Sequence, residues 1–270
     1  MIQKPVCLTI AGSDPSGGAG IQGDLKTFAS HGVYGMAVIS ALTAQNTMTV
    51  SGVAEVGAAF VTEQLERIYE DIPTDFVKTG MLFDASIVAA VSDFFSSRPS
   101  VKIVVDPVMI SSSGGELLKR DAVTSYVERL FPLAALVTPN NLETEFLTGV
   151  KVNSVETAVE ATVKLHGLGV KNVLVKGGDT VFLEGEDRLY DVLSLEGNVH
   201  VFERELVGTR NSHGTGCALA SAICCELALG RDLAQAVLRA GEYVGHALRH
   251  AYQTGRGSGA INHLWNFEVR

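Results

Sequence analysis

The 270-residue sequence contains no stretch of about 20 uncharged apolar residues that could cross a bilayer. Met1–Pro5 lacks the basic start and long apolar run of a secretory signal, so a cytoplasmic protein is expected. Cysteine is sparse: Cys7, Cys217, Cys224 and Cys225 match no metal-ligand spacing, and two of them adjoin in an apolar segment, which fits a reduced compartment. No Gly/Ser/Pro-rich or charged linker interrupts the chain, so residues 1–270 read as one domain. No repeat period is evident. Positive charge is in short supply, with a net charge of −9, which argues against nucleic acid or an anionic membrane as the main partner. An anionic ligand must then be held by local donors rather than by the overall field.

With 46% hydrophobic and 19% charged residues, the chain is rich enough in apolar side chains for one large α/β core. Short β-rich runs alternate with helical patterns. Val6–Ala11 reads as a buried strand ending in Gly12-Ser13-Asp14-Pro15-Ser16-Gly17-Gly18-Ala19-Gly20, followed by a helix from about Ala19 to His31. The glycine spacing is not GxGxxG and the loop lacks a GK[ST] ending, so neither common nucleotide fingerprint applies. The glycines serve either close helix–strand packing or a ligand. Asp24, inside the helix, reads by default as a solvated carboxylate.

Gly35–Thr43 reads as a second strand, and Gln45 just beyond it carries both a donor and an acceptor. That suits an aminopyrimidine or amide edge, or equally a loop amide bonded to backbone. Val56–Asp71 reads as an amphipathic helix with Phe60, Leu65 and Ile68 inward. Further strands are expected at Phe76–Thr79, Lys102–Val105, Ala135–Val137 and Val173–Val175. A hairpin is expected about Glu196-Gly197-Asn198, and helices at Asp84–Phe95, Ala122–Leu130, Val155–Leu168 and Leu233–Tyr252. Gly80-Met81, Asp106 and the Asn140/Glu143 pair follow strands directly, where α/β folds place ligand-binding groups. Asn140 and Glu143 are also explained by a capping box alone. The alternation implies a three-layer α/β fold, a mostly parallel sheet with helices on both faces and the site along one edge.

His213–Gly230 (HGTGCALASAICCELALG) pairs a glycine loop with a buried helix. Backbone N–H groups of Gly214, Thr215 and Gly216, with the positive end of the helix dipole, would form an anion hole. Cys217 in the first turn is a candidate proton acceptor, with its pKa expected below the usual ~8.5. The segment alone fits equally well a glycine-containing cap on a core helix with a packed cysteine.

Seven blocks in order carry a resemblance: Ala11–Phe28, Thr43–Thr47 (TAQNT), Thr79–Leu82 (TGML), Val104–Met109 (VVDPVM), Thr138–Glu143 (TPNNLE), Val175–Gly178 (VKGG) and His213–Cys217 (HGTGC). Through them the chain resembles the hydroxymethylpyrimidine/phosphomethylpyrimidine kinases of thiamine biosynthesis, within the ribokinase-like superfamily. The resemblance implies a ribokinase-like fold and ATP-dependent phosphorylation of 4-amino-5-hydroxymethyl-2-methylpyrimidine, then of its monophosphate. It implies a substrate pocket at Gly12, Asp24, Gln45, Met81 and Val108. Asp106 and Glu143 would organise Mg²⁺, with Asn140, Lys176, Thr209, Gly214 and Gly216 at the nucleotide and Gly214–Cys217 at the reacting phosphate. A homodimer is expected on the same ground.

Two departures stand out. Cys217 takes the place of the Asp found in most ribokinase-like sugar kinases, a cysteine that the pyrimidine kinases share. Ser111-Ser112-Ser113-Gly114 stands where the family commonly has a Lys before Ser-Gly. The rival readings are a pyridoxal/pyridoxine kinase of the same subgroup, a thiol hydrolase using Cys217 with His213, and a binding protein that has lost its chemistry.

Overall fold

Short runs of β-branched and aliphatic residues, too apolar for a strand with one wet face, make the middle of the sheet. The computed structural model describes residues 4–109, 120–178 and 188–267. In chain order the elements are β1 (Val6–Ser13), α1 (Gly20–Ser30), β2 (Tyr34–Gln45), β3 (Val50–Glu55), α2 (Ala58–Asp71), β4 (Phe76–Thr79), α3 (Ala85–Ser96) and β5 (Lys102–Val105). They continue with α4 (Arg120–Ser125), which runs on as a π-helical turn at Tyr126–Leu130, then β6 (Ala134–Val137), α5 (Asn141–Thr148), α6 (Val155–Gly167) and β7 (Asn172–Val175). The last elements are β8 (Arg188–Leu195), β9 (Asn198–Glu205), α7 (Thr215–Ala228) and α8 (Leu233–Arg249).

Among the described residues, one nine-stranded sheet runs β3-β2-β1-β4-β5-β6-β7-β8-β9. The six adjacent strands β2, β1, β4, β5, β6 and β7 are parallel, while β3 and β8 run antiparallel to their neighbours. Alternation along the strands divides the core in two. Ile103, Val105, Val137, Val173 and Val175 face a layer that includes α2, α3 and α6. Val104, Leu136 and Leu174 face α1, α7 and α8. Among the described residues, no helix is long and apolar enough to cross a membrane.

The expected elements are present, with end shifts of a few residues. One local expectation fails, and the structure adds one strand. Phe60 is 54% exposed, because it stands five residues before Leu65 and so falls off the inward face, where Val61, four residues before Leu65, takes its place. The chain after Gln45 turns back as β3, an antiparallel edge strand whose polar sequence VSGVAE gives little β signal. Ser111-Ser112-Ser113-Gly114, singled out in the sequence, lies outside the described residues.

Candidate active site

Because β1, β4, β5, β6 and β7 are parallel, the residues at or just past their C-terminal ends gather at one edge: Gly12 and Asp14, Gly80 and Met81, Asp106, Asn140, and Lys176. Met81 lies against Gly12 so closely that a Cβ there would fall 2.5 Å from the methionine methyl carbon. The two glycine loops meet at this edge. Gly214 has φ +88°, and a Cβ on it would fall 1.9 Å from the Gly18 carbonyl oxygen, so only glycine fits. Asp14 binds the loops together. Its carboxylate accepts from Ser16 N–H and Oγ at 2.8 and 2.7 Å, Ala19 N–H at 2.9 Å and His213 Nε2 at 2.8 Å. Burial alone would raise this carboxyl, but the bonds from His213, Ser16 and Ala19 hold it down at about 2.

The acidic residues after β5 and β6 share a lysine. Lys176 Nζ lies 2.7 Å from Asp106 Oδ1, which also accepts from Thr138 Oγ1 at 3.3 Å. A Cβ on Gly216 would sit 3.4 Å from the same Nζ, so the lysine stands beside the α7 loop. Asn140 and Glu143 do form the capping box: Glu143 N–H donates to Asn140 Oδ1 and Asn140 N–H to Glu143 Oε2, both at 2.8 Å. Glu143 Oε1 reaches further, accepting Met109 N–H at 3.3 Å. Burial pushes Glu143 up to about 7 against the pull of Lys176, with the Asp106 charge adding to the rise. Cap and site residue are therefore one group.

Cys217 corrects the expectation of an activated thiolate. It lies in the first turn of α7, and desolvation pushes its thiol up to about 11, outweighing the Lys78 ammonium; the Asp24 and Asp106 carboxylates add to the rise. A helix N-terminus lowers a thiol pKa by a modest amount, and here two buried carboxylates and loss of water act the other way.

Asp24 is likewise not a solvated helix carboxylate. It is fully buried and accepts from Thr9 Oγ1 at 2.6 Å, Ser221 Oγ at 2.7 Å and Lys78 Nζ at 2.8 and 3.0 Å. The set ties α1 to β1, β4 and α7 directly beneath the glycine loops. Lys78 was not singled out by the sequence. Burial works to lower its pKa, yet the Asp24 carboxylate overrides this and holds it above the usual ammonium value. The available signal was a lone base in the four-residue strand Phe76–Thr79 and a lone acid on the buried face of α1. His213–Asp14 was missed too, for lack of any sequence rule joining residues 199 positions apart.

Gln45 ends β2 half-buried, with Thr43 Oγ1 3.2 Å from its Oε1, and Thr43 in turn bonds Ser13 across the sheet at 2.9 Å. Val108, half-buried, lies in the turn after Asp106, bonding its carbonyl at 2.8 Å. Thr209 is set apart. Its hydroxyl accepts Asn211 N–H at 3.2 Å, and among the described residues no hydrogen bond joins its side chain to Asp106 or Lys176.

The edge can do particular chemistry: fixed amides and a lysine for a polyanion, two carboxylates for a hard cation, and an amide for a polar ring. A family model described as phosphomethylpyrimidine kinase matches residues 14–262. The chain is 48% identical over 257 residues to the thiamine biosynthesis bifunctional protein ThiED of Geobacter sulfurreducens, covering 95% of this chain and 52% of that protein, about half its length. It is 37% identical over 265 residues to the hydroxymethylpyrimidine/phosphomethylpyrimidine kinase of Staphylococcus aureus strain Mu50, covering 98% of this chain and 95% of that one. The crystal structure of phosphomethylpyrimidine kinase from Clostridium difficile 630 superposes with a TM-score of 0.79 at 41% identity, covering 91% and 100% of the two chains. That of Bacillus subtilis pyridoxal kinase in an ADP complex gives 0.88 at 32% identity, covering 97% and 98%.

Proposed function

Since the chain belongs to the phosphomethylpyrimidine kinase family and is a ribokinase-like kinase, we propose that it transfers the γ-phosphoryl group of ATP to 4-amino-5-hydroxymethyl-2-methylpyrimidine and then to the monophosphate. The observation that carries this reading is the meeting of Lys176, held by Asp106, with the Gly214–Cys217 loop. Phosphoryl transfer needs in-line positioning and neutralised charge more than covalent help. The Gly214, Gly216 and Cys217 amides supply donors to the transferred group, whereas Thr215 N–H, also expected there, is taken by the Ser212 carbonyl at 3.2 Å. Lys176, anchored on Asp106, presents a fixed cation beside them. Gln45 reads the ring's amino edge, while Gly12 lets Met81 pack against β1 and Met81 and Val108 flank the ring. Asp24 supports that pocket from below rather than touching substrate. Asn140 and Thr209 belong to the nucleotide side.

The donor set fits Mg²⁺: hard carboxylate oxygens on Asp106 and Glu143, and, among the described residues, no cluster of three His, Cys, Asp or Glu side chains that would make a full protein cage. Magnesium in such a site is held largely through water and phosphate, and when bound it neutralises phosphate charge. At neutral pH the raised Cys217 is a thiol, which supports a role in shaping the anion hole more than one as a ready base. General-base help is typically worth about 10²–10⁴-fold, and a loose transition state draws on it late.

One kinase domain spanning residues 1–270, a homodimer and a cytoplasmic location complete the proposal. Four free cysteines, three of them buried, support the last. A second reading, a pyridoxal kinase, is favoured by the 0.88 superposition on such an enzyme. The test is ADP release with ATP·Mg²⁺ and, separately, hydroxymethylpyrimidine, its monophosphate and pyridoxal. Turnover of the first two bears out the proposal. Pyridoxal as the sole good substrate replaces it with the second reading.

A further inference from the structure

A glycine-rich segment after α8, residues 253–261 (QTGRGSGAI), touches both halves of the site. At one end it grips Thr47, the last residue of the AQNT block. Gly257 N–H donates to Thr47 Oγ1 and Ser258 N–H to the Thr47 carbonyl, each at 3.1 Å. The approach is tight enough that a Cβ on Gly257 would fall 2.0 Å from that carbonyl oxygen. At the other end it grips the approach to α7. Ser258 Oγ donates to the Arg210 carbonyl at 3.0 Å and Gly259 N–H to Asn211 Oδ1 at 3.2 Å. His213 N–H donates to the Gly259 carbonyl at 3.0 Å and Ile261 N–H to the His213 carbonyl at 3.3 Å. Gln253 Nε2 closes the loop on the carbonyls of Gly255 and Gly257 at 2.9 and 3.1 Å.

The two ends are not equally anchored without it. The His213–Gly214 end is also held by Asp14 and packs on Gly18. The Asn46–Thr49 turn is otherwise closed on itself: Asn46 Oδ1 accepts from Met48 and Thr49 N–H at 2.8 and 3.0 Å, and Asn46 N–H donates to the Thr49 carbonyl at 3.0 Å. Loss of the segment's grip would therefore displace the Gln45 side.

We propose that residues 253–261 act as a strap that fixes the Gln45–Thr47 turn at a set distance from the phosphate-binding loop, with Thr47 and Gly257 as positioning residues for the ring. The inference rests on the kinase reading above and adds how its two subsites are held in register.

Three variants test it: Gly257→Ala, Thr47→Val and Thr47→Ser. Loss of a bond of this kind should raise KM for hydroxymethylpyrimidine about five- to tenfold in Gly257→Ala and Thr47→Val, with KM for ATP within about twofold and Thr47→Ser close to wild type. A fall in kcat with both KM values unchanged, or equal behaviour of Thr47→Val and Thr47→Ser, overturns the strap. Failure of the wild type to turn over hydroxymethylpyrimidine would instead count against the substrate. The strap is then read by hydrogen exchange at residues 45–49. ADP should slow exchange there in the wild type and not in Gly257→Ala, and an identical response in both overturns the proposal whatever the substrate.

Discussion

His213 Nε2 stands 2.8 Å from Asp14 Oδ2, so one buried carboxylate joins the loop after the first strand to the loop before α7. Bonds from His213, Ser16 and Ala19 outweigh burial and bring Asp14 from 3.8 to about 2. A carboxyl depressed on folding stabilises the native state above its unfolded pKa and loses that contribution as pH falls toward the folded one. A shift of this size is worth on the order of 2 kcal/mol, about half of it gone by pH 3. Asp14→Asn should therefore cost on the order of 2 kcal/mol at pH 7 and distinctly less at pH 3 in urea unfolding. An equal loss at both would mean that the charge of Asp14 is not what holds the loops.

Cys217 makes a kinetic prediction. With its thiol pushed up to about 11 by desolvation, labelling by iodoacetamide should be slow at pH 7 and rise about tenfold per pH unit through pH 10, since the thiolate is the nucleophile. The other three cysteines are buried, so peptide mapping isolates the signal. A rate that levels off near pH 8 would restore the activated thiolate. In the same protein, Cys217→Ala should lower kcat far more than it raises KM for ATP; an unchanged kcat would remove the residue from the transfer step.

These two residues also mark how far the sequence could be read. Strand ends, the capping box at Asn140 and Glu143, and the glycine loop of α7 were legible because each depends on neighbours within a few positions. The depressed thiol expected of Cys217 came from the helix terminus, a local feature, and failed because tertiary packing strips the thiol of water and brings the Asp24 and Asp106 carboxylates near from distant parts of the chain, together outweighing Lys78. Asp24 misled for the same reason: its partners Thr9, Lys78 and Ser221 are set by sheet order. The edge strand β3 escaped notice because its exposed residues carry no alternation.

Removal of Lys78 should be costly for stability in a particular way. Lys78 and Asp24 are both completely buried, so Lys78→Met leaves a carboxylate with two hydroxyl donors and no cation. Breaking one partner of such a pair typically costs about 3–5 kcal/mol, whereas replacing both can be nearly neutral. Chemical denaturation should accordingly show a large loss for Lys78→Met and substantial recovery in Lys78→Met/Asp24→Asn. Strictly additive losses would show that the two charges do not support each other.

Gln45 is the sharpest test of the substrate side. A hydroxyl has one proton, and Thr43 Oγ1 lies 2.9 Å from the Ser13 carbonyl but 3.2 Å from Gln45 Oε1, so the shorter contact takes it. The amide nitrogen of Gln45 donates to no described residue, which leaves a donor for a ring nitrogen and an acceptor for an exocyclic amino group, the two features that an aminopyrimidine presents side by side. A site built to bond a polar edge discriminates strongly when its own groups lose their partner. Gln45→Ala should raise KM for hydroxymethylpyrimidine about 10–100-fold, from the loss of one or two such bonds, and leave KM for ATP nearly unchanged. Steady-state kinetics with each substrate varied in turn decide it. Equal loss for both substrates would move the ring pocket away from the end of β2.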